Sequence, residues 1–128
     1  MRFLTTNSSL LLEKSMGFLW TKQAAILDNI ANAETPNYKE KVVTFEESLR
    51  SKIETAARGT TPRKLVRQVL ETEDMAVTEQ LVQTRMDDNG VNVTTQSIEA
   101  VRNAFQLRYV MSSINSDLAV LRSAVRGQ

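Results

Sequence analysis

Nine residues near the end of the chain keep an unbroken alternation of three- and four-residue steps: Ser97, Ala100, Ala104, Leu107, Met111, Ile114, Leu118, Leu121 and Val125. Residues so spaced lie on one side of an α-helix, whereas a strand would send alternate residues to opposite faces. The pattern lasts about four heptads, the length at which a coiled-coil seam is expected. It commits the segment Val93–Arg126 to one helix about 50 Å long. Val101 and Val110 widen its apolar side, and Gly127 stands where a helix can end. Such a helix cannot bury its apolar stripe against itself, so the fold must supply another helix to cover it.

The other end of the chain offers one. Leu12, Met16, Leu19, Ile26 and Ile30 fall on helical spacing, with Gln23 as the polar member, and Trp20, Ala24, Leu27 and Ala31 form a stripe beside them. These predict a helix over Ser8–Ala33, about 35–40 Å long. The expected fold is therefore mainly all-α. Long N- and C-terminal helices pair as a coiled-coil-like layer, joined by a short helix and an irregular or extended middle. In domain terms, 1–39 holds the first helix and its turn, 40–91 is a variable middle segment, and 92–128 is the heptad helix. Segments 1–39 and 92–128 together make one helical domain. In the middle, Thr44 and Glu47 have capping-box spacing, and Phe45, Leu49 and Ile53 predict a helix over Phe45–Ala57 that Gly59 and Pro62 terminate. Leu65–Gln83 shows no clean period and reads as irregular or partly extended. Asp87–Gly90 reads as a turn.

Composition removes several functions. The chain has no cysteine and no histidine, which excludes disulfide scaffolds, structural zinc and histidine-dependent nucleophiles. With 16 Lys and Arg against 15 Asp and Glu, the net charge of +1 argues against nucleic-acid or membrane coating. Four Phe, two Tyr and one Trp are few for a thick core and fit helices zipped along thin seams. No apolar run is long enough to span a bilayer, and the polar Thr5–Ser9 stretch argues against a cleavable signal.

Candidate sites give way to plainer readings. Around Gly90 an EF-hand would need carboxylates at Arg85 and Gln96. The basic cluster Arg58, Arg63, Lys64 and Arg67 has no interleaved aromatic residue for base stacking, and reads as a solvated loop that could meet an acidic neighbour. The carboxylate pairs are sequence neighbours without a cleft, and no glycine-rich phosphate loop is present. The expectation is no catalytic residue, no metal and no cofactor.

The most specific string is Asn29-Ile30-Ala31-Asn32-Ala33-Glu34-Thr35-Pro36-Asn37-Tyr38-Lys39. Turn chemistry accounts for its centre: Pro36 presets φ, and Asn37 tolerates the left-handed position that follows. Turn chemistry leaves Asn29, Ala31, Asn32, Ala33, Tyr38 and Lys39 unexplained, and Thr35 completes the string. The full string resembles the signature of flagellar basal-body rod proteins, in which an Ala-Asn pair precedes Thr-Pro-Gly-Tyr, with Asn37 here in the glycine's place. Asp88-Asn89-Gly90-Val91-Asn92-Val93, followed by a helix bearing Gln106-Leu107-Arg108-Tyr109, is similar to that family's C-terminal pattern. The short length is most similar to the proximal rod type.

The resemblance implies a structural subunit of a tubular axial rod that surrounds the export channel and transmits torque. It implies a place in the periplasmic basal body, reached by flagellar export without a cleaved signal. Implied partners are copies of the chain, the second short rod protein, the distal rod protein, a rod-base adaptor and the flagellar export gate, with no nucleic acid and no transmembrane span. The turn motif and the seam residues Leu12, Met16, Leu19, Ile26, Ile30, Leu107, Met111, Ile114, Leu118, Leu121 and Val125 would carry assembly. Periodicity alone leaves open a soluble coiled-coil adaptor or export chaperone, and also an enzyme that uses carboxylates and lysine.

Overall fold

The computed structural model describes residues 6–73, 76–80 and 89–127. Helix α1 spans Asn7–Ala31, strand β1 Glu40–Thr44, α2 Glu46–Ala57, α3 Pro62–Thr72, strand β2 Ala76–Gln80 and α4 Val93–Arg126. Both long helices begin on a polar cap. Thr6 accepts from the Ser9 amide at 3.1 Å, and Asn92 accepts from the Thr95 amide at 3.2 Å. These bonds satisfy amide donors that have no partner within a helix's first turn. Gly127 ends α4 at φ 71°, a left-handed position that costs glycine little.

Helices α1 and α4 pack antiparallel. Gln96 meets Asn29, Asn103 meets Leu19 and Gln23, and Leu121 shares a groove with Ser9 and Leu12. This pairs the long terminal helices in a mainly helical fold, as the sequence predicts. Against α1 pack α3, which also packs on α2, and a two-stranded antiparallel sheet, in which Val42 faces Thr78 and Val43 faces Val77. One core joins all four helices: Phe18 and Leu19 of α1, Leu49 of α2, Leu70 of α3 and Val110 of α4 cluster around Phe45. The rings of Phe18 and Phe45 lie 5.3 Å apart, tilted 30°.

The middle segment is more ordered than its sequence suggests. Leu65–Thr72, expected to be irregular, is helical because Pro62 opens α3 rather than merely closing α2. Proline has no N–H to leave unpaired in a first turn, and its fixed φ already suits a helix. Leu65, Val66, Val69 and Leu70 then form a short stripe that packs inward, with Leu70 only 1% exposed. The extended part of the expectation falls on β2, and residues 81–83 lie outside those described. The capping box does not form. Phe45 occupies the N-cap of α2 without a side-chain bond, and Thr44 ends β1. Burial of Phe45 decides this, since its ring is needed in the core. Of the expected turn at Asp87–Gly90, only Asn89 and Gly90 are described.

Polar ties hold α3 in place. Lys14 Nζ donates to the Glu73 carbonyl at 2.8 Å. The Glu73 carboxylate accepts from Ser48 Oγ at 2.7 Å and from Lys52 Nζ at 2.5 Å, and these contacts, Lys52 first, hold its pKa below the usual range. Replacing Leu70 with alanine should cost about 2–5 kcal/mol, the range for a buried leucine whose site cannot collapse. Urea unfolding measures this, and a loss under about 1 kcal/mol would show that α3 is peripheral to the core.

Candidate functional site

The turn motif folds into a polar clasp where α1, β1 and the start of α4 converge. Asn29 sits on the inner face of α1 with no exposed surface. Its Nδ2 donates to the Lys41 carbonyl at 2.9 Å, and its Oδ1 accepts from the Lys41 amide at 2.8 Å. A side-chain amide carries one acceptor and paired donors in a plane, so it pairs with β1 as a neighbouring strand would. The second Nδ2 hydrogen reaches Gln96 Oε1 at 3.2 Å, and Gln96 Nε2 donates to Glu40 Oε1 at 2.5 Å. Three elements are thus tied through two buried amides.

A second layer surrounds the first. Asn32 caps α1: its Nδ2 donates to the Asp28 carbonyl at 2.8 Å, and Thr35 Oγ1 donates to its Oδ1 at 3.3 Å. Tyr38 Oη donates to Asp28 Oδ2 at 3.2 Å, and Lys41 Nζ forms an ion pair with the same carboxylate. The lysine contact holds the Asp28 carboxyl below its usual pKa, and Asp28 in turn raises Lys41. Burial, then the Asp28 charge, pushes the Tyr38 phenol up. Glu40 is raised by burial, against the opposing bond from Gln96. Asn37 adopts φ 59°, the only positive φ among the described non-glycine residues.

The second motif closes on the first. Asn89 also has no exposed surface. Its Nδ2 donates to the carbonyls of Asn32 at 3.0 Å and Thr35 at 2.7 Å, and its Oδ1 accepts from the Val91 amide at 2.8 Å. The Gly90 amide donates to the Tyr38 carbonyl at 3.2 Å. Carbonyls of the turn that follows α1 are therefore bonded by a residue 54 to 57 positions away. Asn29, Asn32, Thr35 and Tyr38 enter the network directly, while Ala31, Pro36, Asn37 and Lys39 stand at the surface. Sequence reading left Asp28, Glu40, Lys41 and Gln96 unmarked. Asp28 and Lys41 flank the motif, the one available signal. Gln96 carried no signal, because its partner lies 67 positions away.

Of the seam residues on α1, Leu19 and Ile26 are buried and Leu12, Met16 and Ile30 partly so. On α4, Leu107 and Ile114 face the core, whereas Met111, Leu118, Leu121 and Val125 are exposed. The line of α4 buried in this chain runs through Gln96, Asn103 and Val110. It sits one residue, about 100°, round from Ser97, Ala104 and Met111. Hydrogen bonding explains the choice. Asn103 Nδ2 donates to the Leu19 carbonyl at 2.9 Å and to Gln23 Oε1 at 2.8 Å, and Lys22 pairs with Glu99 at 3.2 Å beside it. Trp20 and Leu27 of α1 and Ile98, Val101, Phe105 and Tyr109 of α4 are left more than half exposed. Among the described residues no cluster could hold a metal ion, and no helix is long and apolar enough to cross a membrane.

Two outcomes follow. Asn29→Ala strands the amide and carbonyl of Lys41 together with Gln96, and should cost about 2–4 kcal/mol in urea unfolding, more than one ordinary hydrogen bond. Asn29→Asp keeps the shape but removes the donor, so it should recover only part of that loss. Asp28 has a lowered pKa, so its contribution is present above its ordinary value of 3.8 and is lost as pH falls through the folded value. Asp28→Asn should therefore lower Tm near neutral pH and flatten its fall below about pH 4. An unchanged acid limb would show that Asp28 does not carry this pH dependence.

No family model matches the chain. A search of curated proteins finds similarity to the flagellar basal body rod protein FlgB of Aquifex aeolicus (strain VF5), 31% identical over 111 residues, covering 83% of this chain and 86% of that protein. That match spans most of the chain and most of that protein. The chain belongs to the flagellar basal-body rod protein family.

Proposed function

We propose that the chain is a structural subunit of the proximal rod, packing its long helices against copies of itself and other rod proteins to build a tube. The carrying observation is the apolar surface left over after folding. Trp20, Leu27, Ile98, Val101, Met111, Leu118 and Val125 lie along both long helices with between 48% and 83% of their surface exposed, a pattern that marks association rather than an isolated monomer. The clasp supports the same reading. It fixes the exit of β1 and the start of α4 on one frame, so the middle segment leaves the helical pair at a set angle. A rigid frame with apolar flanks suits a part that carries load around the export channel.

The role is structural rather than catalytic, and delivery uses the flagellar export gate without a cleaved signal. The second short rod protein, the distal rod protein and a rod-base adaptor are the neighbours this reading expects. The test is to tag the chain in its own bacterium and purify detergent-extracted basal bodies. Co-purification at the rod base, with loss of motility on deletion, is the expected result. A soluble oligomer absent from basal bodies would overturn the proposal in favour of an adaptor or chaperone.

A further inference from the structure

An apolar cleft of about 600 Å³ opens between α1, α2 and α4. Phe18, Phe45 and Leu49 line it from the core, and Phe105 and Tyr109 form the α4 wall, 66% and 74% exposed. On the α2 side the lip carries Glu46, Arg50 and Glu54. Arg50 is already paired with Glu54 at 3.1 Å, and Glu47 lies beside Glu46, so the lip is acidic in sum.

The same chain presents a segment of matching chemistry. At the end of α4, Leu118, Leu121 and Val125 repeat on helical spacing and are 53%, 38% and 83% exposed. Arg122 and Arg126 flank that stripe one turn apart, and among the described residues neither has an ion-pair partner. A basic, apolar-edged helix end thus faces solvent on a molecule whose apolar cleft has an acidic lip. The two cannot meet within one copy. Val110 lines the cleft and Leu121 lies 11 residues further along the same unbroken helix, about 16 Å of rigid rod.

We propose that the end of α4 from one copy seats in the α1–α2–α4 cleft of the next, with Val125 against the phenylalanines and Arg122 and Arg126 along the acidic lip. This rests on the subunit reading above and specifies its contact. Donor and acceptor surfaces differ, so each copy that fills a cleft offers a helix end to another. Such heterologous contacts grow open helical assemblies unless the rotation closes a ring.

The absence of cysteine makes the test clean. Full-length Ser15→Cys, whose position lines the cleft, is mixed with full-length Val125→Cys and treated with a short bifunctional thiol cross-linker. The mixed dimer should exceed that from Trp20→Cys plus Val125→Cys at least tenfold, because Trp20 does not line the cleft. Adding Glu54→Lys to the cleft partner should lower the yield about threefold, and Arg122→Glu on the other partner should restore it, in line with an exposed charge pair. Equal yields from both mixtures, or preferential linkage to the Trp20 position, would overturn the contact. A chain that fails to cross-link yet enters basal bodies loses this contact and keeps the rod role. A chain that cross-links but is absent from basal bodies keeps the contact and loses the rod role.

Discussion

The planar amide of Asn29 is the point on which the rest of the molecule depends. One side chain takes the place of a strand partner for β1 and also reaches Gln96 at the start of α4. A hydrophobic residue there would leave a backbone amide and carbonyl of β1 without partners at a site closed to water. Aspartate could accept but not donate. Only a short amide offers both functions at that depth from the backbone of α1. With Asn29 engaged, the register of β1 is fixed, Phe45 follows it into the core, and α2 is placed over α1.

The polar residues in the α1–α4 seam act in the same manner. Asn29 with Gln96, Lys22 with Glu99, and Gln23 with Asn103 mark successive levels along the pair, before the apolar levels of Leu19, Leu107 and Ile114. Apolar side chains tolerate a slip of one turn, whereas a buried amide that loses its partner does not. The polar levels therefore specify a single antiparallel register and rotation of α4. That rotation turns Met111, Leu118 and Val125 outward. The side of α4 that folding uses is thereby distinct from the apolar side it leaves exposed.

This division suits a part built into a larger axial structure. Most interior polar groups bond within the chain, Asn103 Oδ1 and Gln106 Oε1 being buried without a partner, while apolar area stays exposed on the long helices. Asn89 adds a cross-tie between distant parts of the sequence, since its amide bonds carbonyls of the turn after α1. The two family motifs, far apart in the chain, are halves of one polar joint.

The sequence by itself determined the two long helices, because heptad and helical periodicities over 25 to 34 residues have no strand equivalent. It also determined the left-handed turn at Asn37 and the helix end at Gly127, which follow from local sterics. It marked Asn29, Asn32 and Tyr38 as unexplained by turn chemistry, without showing what they bind. The tertiary structure decided the partners of those groups, which lie as far as 67 positions away. It decided that α3 is helical, because a stripe of only four apolar residues acquires meaning once a core exists to receive it. It decided which side of α4 is buried. Periodicity ranks Ala104 and Met111 above Gln96 and Asn103, and only the facing carbonyl of Leu19 and the amides of Asn29 and Gln23 reverse that order. Hydrophobicity can be read one residue at a time, but a buried polar group is stable only with a partner that the fold brings to it.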